Sequence, residues 1–297
     1  MAEQRGASRQ HGMILRSSKR SRTGHWTSLP LEIRLLILGV ISTQKSAGWG
    51  SLASVCKEWQ CVIEEENFYR LTLRLSCLEE FQHVAIRQRK LIRYIEFDIE
   101  LRRYTCRCCE WPESESWLSS NNKIIKDGIF KLFSILSAWE PANTLALELN
   151  AYSPSDSEHC FKDSFFASND QGQIENGSSR PGWHDPKHGW MNGQQVSSPP
   201  HSAIIRLFEM INLVSPEEIP ANNAVTCFVI RRQLRRWFQP EILWIIWSKL
   251  HRLDSIIYEP WRIWDDWFGE TVDQGMYYTG NIWFYLISIT FTIGYFS

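Results

Sequence analysis

The chain has 297 residues, with 32 Lys and Arg against 33 Asp and Glu, and 43% of it is hydrophobic. The length suits one large or two modest domains, and the charge balance points neither to nucleic acid nor to an acidic substrate. Residues 1–25 carry Arg5, Arg9, Arg16, Lys19, Arg20 and Arg22 among Ser, Gly and Gln, and read as a disordered basic arm. Within it SKRSR at 18–22 fits a nuclear import signal, but a solvated tail is the favoured reading because short basic runs are common.

The next stretch, LPLEIRLLILGVI from Leu29, is apolar on nearly every side; between Leu31 and Ile41 only Glu32, Arg34 and Gly39 are not apolar. Pro30 suits a first helical turn, where its missing N–H costs nothing, and Ser28 is placed to cap it. Residues 42–50 break the pattern with two glycines and small polar residues. Leu52, Val55, Cys56, Trp59, Val62 and Ile63 then recur at helical spacing. Short helices this apolar bury little surface by themselves, which predicts a covering partner.

Residues 91–101 (LIRYIEFDIEL) alternate as a half-buried strand, after a shorter alternating run that starts near Phe68. Residues 121–139 have the apolar spacing of an amphipathic helix through Ile125, Ile129, Leu132, Phe133, Leu136 and Trp139, ended by Pro141. Residues 144–150 read as a strand, and 152–200, rich in Ser, Asn, Asp, Gly, Pro and Gln, as a long loop or disordered insertion. A helix through Ile204, Leu207, Phe208 and Ile211, a strand at 224–231, a helix at 239–251 and a strand at 254–259 complete the ordered region. Strands separated by helices imply a parallel sheet, and the absence of a fixed period excludes a consensus repeat. The expected class is therefore α+β or α/β: a small three-helix unit followed by an irregular leucine-rich-repeat-like α/β solenoid with a long disordered insertion.

The motifs of the first unit, LPLEIRLLIL and SVCKEWQCVIE, resemble an F-box. From residue 26 to about Trp267 the chain resembles F-box-like proteins best known from filamentous fungi, through the further blocks IELRRYTC, KLFSILSAWEP, LALELNAYSPSDSEH, VIRRQLRRWF and IYEPWRIW. The resemblance implies a non-catalytic substrate receptor of a cullin-RING (SCF-type) ubiquitin ligase, not an enzyme. In such a receptor the F-box binds a Skp-type adaptor, through it a cullin, and the solenoid binds a target protein. Carried onto this chain, the adaptor-binding residues are Leu29, Pro30, Ile33, Ile37, Leu52, Val55, Cys56 and Trp59. The inter-helix loop is longer than the common pattern, and the C-terminus departs from it completely. The implied organisation is a basic arm at 1–25, the F-box at 26–70, solenoid parts at 71–151 and 201–267 around the insertion at 152–200, and an atypical hydrophobic tail at 268–297.

From Gln274 onwards the tail carries no charge, and Met276–Ser297 is long enough as a helix to span about 30 Å of hydrocarbon. A tail-anchored membrane protein is one reading. A buried or aggregation-prone strand, or a reading frame that runs past its natural end, are the others. An F-box-like protein outside any ligase is a further alternative.

Arg231, Arg232, Arg235 and Arg236, beside Trp237 and Phe238, are candidate target-binding residues, suited to an acidic or phosphorylated degron. The simpler reading pairs them with Glu217, Glu218 or Asp254 on a solvated face. Trp261, Trp264 and Trp267 would form one helical stripe, most simply core.

The eight cysteines follow a polar, basic N-terminus without a secretory signal and read as reduced thiols of a cytoplasmic or nuclear protein. Cys106-x-Cys108-Cys109 has a metal-knuckle spacing but no second pair, only His159-Cys160 and His83, so structural thiols are favoured and no metal is assigned. His184-Asp185 and His188 flank Pro186, which argues against the helix a metal-binding pair would need. No nucleophile elbow, P-loop or dinucleotide fingerprint occurs, and no cofactor is expected.

Overall fold

The computed structural model describes residues 26–44, 48–140, 144–162, 187–259 and 289–292. Helix α1 (Leu31–Gln44) starts just after the expected position: Pro30 stands before its first turn, its carbonyl accepting the Arg34 N–H at 3.1 Å, and Ser28 lies in the preceding 3-10 turn Trp26–Ser28 instead of at the cap. A 3-10 segment (Trp49–Ser54) and helix α2 (Lys57–Tyr69) follow, and strand β1 (Arg70–Arg74) starts at the next residue, without a loop.

The remaining elements are α3 (Leu78–Gln88), β2 (Tyr94–Glu100), α4 (Glu115–Ser137), β3 (Ala146–Tyr152), β4 (Trp190–Met191), β5 (Gln194–Gln195), α5 (His201–Leu207), β6 (Met210–Ile211), β7 (Cys227–Ile230), β8 (Trp237–Phe238), α6 (Pro240–Ser248), β9 (Ser255–Tyr258) and β10 (Ile289–Thr292). The main sheet runs β1-β2-β3-β7-β9-β10. Its first five strands are mutually parallel and lie in chain order, and β10 closes the edge antiparallel to β9. The mixed helix-and-sheet class with a parallel sheet is the one expected. Parallel neighbours cannot be joined by a tight turn and need a crossover. Helices α3, α4 and α6 supply crossovers, and their apolar stripes share one core with Leu73, Phe97, Leu149, Phe228 and Ile256 from the strands.

At Gly128 α4 lies against the sheet: a Cβ there would meet the Phe97 ring and a Leu75 methyl at 3.4 Å, the near limit of ordinary contact. Helix α4 also starts earlier than the apolar spacing suggests. Extended Ser114 precedes the first turn, and Glu115 lies where the helix dipole favours an acid.

The opposite face of the sheet is polar yet buried. The alternation in 91–101 reads as half-buried, but Glu96 and Asp98 are as enclosed as the apolar residues between them. Cross-strand pairing makes this tolerable. The register sets Thr72 beside Glu96, Glu96 beside Glu148, and Asp98 beside Asn150. Glu96 accepts from Arg70 and from the Thr72 hydroxyl, Glu148 accepts from the Tyr94 hydroxyl, and the Asn150 amide donates to Asp98 at 2.9 Å. Burial raises the Glu148 carboxyl above its usual range and, with Glu148 beside it, pushes the Tyr94 phenol up to about 12.

Residues 153–162 and 187–200, expected within a disordered insertion, hold a 3-10 turn at Pro154–Ser157 and the β4–β5 hairpin, with Ser155, Asp156, His159, Cys160 and Trp190 buried. Polar composition hides this order because hydrogen bonds, more than apolar burial, hold these residues. Of the hydrophobic tail, Ile289–Thr292 form β10. The basic arm, His184 and Asp185, the Trp261/Trp264/Trp267 stripe and the rest of the tail lie outside the described residues. No helix among the described residues is long and apolar enough to cross a membrane.

Phe97 is fully buried under α4. Phe97→Ala is expected to lower unfolding free energy by about 3–5 kcal/mol, measured by denaturant titration.

Candidate functional site

Two regions stand out, one at each end of the chemistry available: a bare apolar helix pair and a cluster of thiols and imidazoles. In the first, α1 buries only Leu38 and Ser42. Leu31, Ile33, Leu35, Leu36 and Val40 remain exposed, Leu36 by 65%. The α1–α2 arrangement is fixed from one side. Glu58 on α2 accepts from the Trp26 indole at 2.8 Å and from Arg34 on α1 at 2.7 Å, and the Trp26 and Trp59 rings meet edge-on with centroids 5.1 Å apart. Of the eight residues singled out for adaptor binding, Leu29, Pro30, Ile33, Val55 and Cys56 are exposed, and Ile37, Leu52 and Trp59 are half-buried. Most of these side chains therefore stand at the surface of the helical unit, where monomeric proteins rarely leave contiguous apolar patches.

The arginine cluster does not form one face. Arg232 is exposed, Arg231 pairs with Glu259 at 2.5 Å, and Arg235 is half-buried, its guanidinium brought down to about 10 by burial. Arg236 corrects the surface expectation: it is buried and donates to Glu113 at 2.6 Å. Its partners are not the surface acids Glu217, Glu218 and Asp254 but a residue far back in the chain.

Glu113 is the hub of that interior network. It accepts from Arg236 and from the Asn121 amide on α4, and lies 3.9 Å from the Arg206 guanidinium of α5. Arg206 also donates to the Trp111 and Pro112 carbonyls and lies over the Tyr104 ring. Asp156 accepts from the Ser153 N–H at 2.8 Å and from the Tyr104 hydroxyl at 3.0 Å. These bonds pin the loop after β2, residues 101–114, against the loop after β3.

The two pinned loops bring together residues far apart in sequence. Cys106 Sγ lies 3.4 Å from His159 Nδ1 and 3.5 Å from His188 Nε2, and Cys109 Sγ lies 3.6 Å from His188 Nδ1. Glu110 reaches the same His188 Nδ1 at 3.6 Å. The two imidazole rings meet at 5.1 Å between centroids. Cys108, the middle thiol of the motif, turns back to the Thr105 carbonyl. All eight cysteines are free thiols. Burial pushes the Cys109 thiol up to about 12 and the Cys160 thiol up to about 11, and burial together with His188 lowers His159.

The presentation of His188 is specific. It adopts φ +58° at the turn into the β4–β5 hairpin, and Gly189 follows at φ +78°. A Cβ on Gly189 would collide with the Ser197 carbonyl oxygen, while the Gly189 carbonyl accepts the Val196 N–H at 2.7 Å. The C-x-C-C motif has no second pair along the chain because its partners come from the next loop over. The usable signal was positional: β2 and β3 are parallel neighbours with Glu100 opposite Tyr152. Cys106 and His159 follow those strand ends at nearly the same distance.

No family model matches the chain, and no curated protein and no solved structure matches it.

Burial raises Asp156 from 3.8 to about 6, against the opposing pull of Arg236 and the bonds from Ser153 and Tyr104. The folded chain thus holds this proton more tightly than the unfolded one. The resulting stabilisation is complete below about pH 4 and is lost as pH rises through about 6. Asp156→Asn keeps an acceptor for Ser153 but cannot ionise. The stability of the wild-type chain relative to this variant is expected to fall by on the order of 2–3 kcal/mol between about pH 4 and pH 7, read by thermal or urea unfolding across that range.

Proposed function

We propose that the chain is a non-catalytic substrate receptor of an SCF-type ubiquitin ligase, in which residues 26–70 act as an F-box that docks on a Skp-type adaptor and thereby on a cullin. The single observation that carries this reading is the apolar surface of α1, where Leu31, Leu35, Leu36 and Val40 are each more than half exposed although the helix is built of core-type residues. Burying such side chains is worth about 1.5–3 kcal/mol each, so a helix that leaves them in water is matched to an occupant. The LPLEI and VCKEW motifs specify which occupant: the exposed Leu29, Pro30, Ile33, Val55 and Cys56 are among the positions that contact the adaptor in an F-box.

The sheet supports the rest of the reading. Parallel strands in chain order, with crossover helices α3, α4 and α6 packed in one core, are what an irregular leucine-rich-like solenoid requires. Helix α2 runs into β1 without a loop, so an adaptor held by the helical unit would keep a fixed orientation to the sheet. The target is a protein, read by the loops at the carboxyl ends of the strands, where Arg231 and Arg232 follow β7. Arg232 is the exposed cation of that pair, suited to an acidic or phosphorylated segment.

The test is co-purification with the adaptor, comparing the intact chain with Leu29→Ala/Pro30→Ala. Both side chains are exposed, so the double variant should fold as the parent does, within about 0.5 kcal/mol. Capture is expected to fall at least about tenfold, the loss that ~1.4 kcal/mol of contact energy produces. Failure of both forms to bind would refute the ligase reading.

A further inference from the structure

We infer that Cys106, Cys109, His159 and His188 form a structural zinc site that clamps the loop after β2 to the loop after β3. This site is independent of the ligase reading. Three of the four donors already stand at ligand spacing. A tetrahedral centre with Zn–S near 2.3 Å and Zn–N near 2.0–2.1 Å places its sulfur and nitrogen donors about 3.5 Å apart. Cys106 Sγ is 3.4 Å from His159 Nδ1 and 3.5 Å from His188 Nε2. All three ligand atoms lie within 4.8 Å of one another.

Cys109 supplies the fourth ligand. It completes the C-x-x-C knuckle with Cys106, and its thiol now lies against the Nδ1 side of the His188 ring while donating to the Cys106 carbonyl at 3.3 Å. To complete the site Cys109 must turn Sγ away from that carbonyl, since it now groups with Glu110 and His188 and not with the other three donors. His188 then binds through Nε2, and its Nδ1 faces the Glu110 carboxylate 3.6 Å away. Brought within hydrogen-bond distance, that carboxylate would fix the tautomer and orientation of a metal-bound imidazole.

The chemistry of the donor set selects the metal. Two thiolates and two imidazoles in a tetrahedral arrangement suit zinc, whereas oxygen-seeking magnesium and calcium are poorly matched. Four protein ligands leave no open position, so the site is structural rather than catalytic. The burial of His159, Cys109 and the His188 ring leaves Cys106 as the one exposed ligand. Binding releases the thiol protons. The surrounding order has the same meaning. The left-handed His188, the Gly189 turn and the Glu113 network hold ligands from three separate segments on one point, in a region with few aliphatic side chains to hold it otherwise.

The test uses the full chain, purified without chelator in zinc-containing buffer, with zinc as the probe. Metal analysis should return about one zinc per chain, and cobalt exchange should give the intense visible bands of a tetrahedral thiolate site. With zinc bound, alkylation followed by peptide mapping should spare Cys106 and label Cys61; after chelation the exposed Cys106 should react as Cys61 does. Cys106→Ser and His159→Ala should each reduce bound zinc to background, while Cys61→Ser retains it. A folded wild-type chain that holds no zinc overturns the proposal, as does alkylation of Cys106 unchanged by zinc. Both of those readouts use the unmutated chain, so they stand even if a variant fails to fold.

Discussion

Parallel pairing of strands in chain order is the constraint on which the rest of this structure depends. A parallel neighbour can be reached only by a crossover, and a crossover returns the chain to the same edge each time. With α3, α4 and α6 sharing one core, each of the five parallel strands starts at one edge of the sheet and ends at the other. The loops after β2 and β3 therefore meet, although Cys106 and His188 are far apart in sequence. The same register places Thr72, Glu96 and Glu148 side by side on the polar face. Each enclosed acid there has a donor beside it, which makes such burial tolerable.

The carboxyl edge is held by charge as well as by topology. Glu113, Asp156, Arg206 and Arg236 are all buried within one network, two acids against two guanidiniums. A buried pair is costly to break because the remaining charge loses its partner. That network gives the loops at this edge a defined shape without an aliphatic core of their own. The opposite arrangement holds at the N-terminal unit, where α1 has the side chains of a core and leaves them in water. One end of the chain thus hides charge and the other exposes apolar surface of the kind that marks a contact site.

The sequence shows the elements better than their environments. The alternation of LIRYIEFDIEL places β2, and the apolar spacing through Ile125, Ile129 and Leu136 places α4, because both patterns report local geometry. The burial of Glu96 and Asp98 was not legible, since a buried carboxylate and a solvated one look alike until the cross-strand donor is known. The same limit applies to Arg236, which reads as one of four surface cations but is enclosed against Glu113. In the insertion, Ser and Asp bury through hydrogen bonds and leave no hydrophobic period to detect. The thiol–imidazole cluster needed the strand order, because spacing along the chain says nothing about ligands brought in from a neighbouring loop.

A receptor role for this chain rests on the apolar face of α1 being the surface that docks the adaptor. Hydrogen–deuterium exchange of the chain with and without a Skp-type adaptor reads that face residue by residue. Adaptor-dependent protection is expected at residues 29–44 and 52–63 alone, with the loops after β2 and β3 unchanged. Binding that protects the sheet or its carboxyl-edge loops, and leaves α1 exchanging as in the isolated chain, would overturn the assignment.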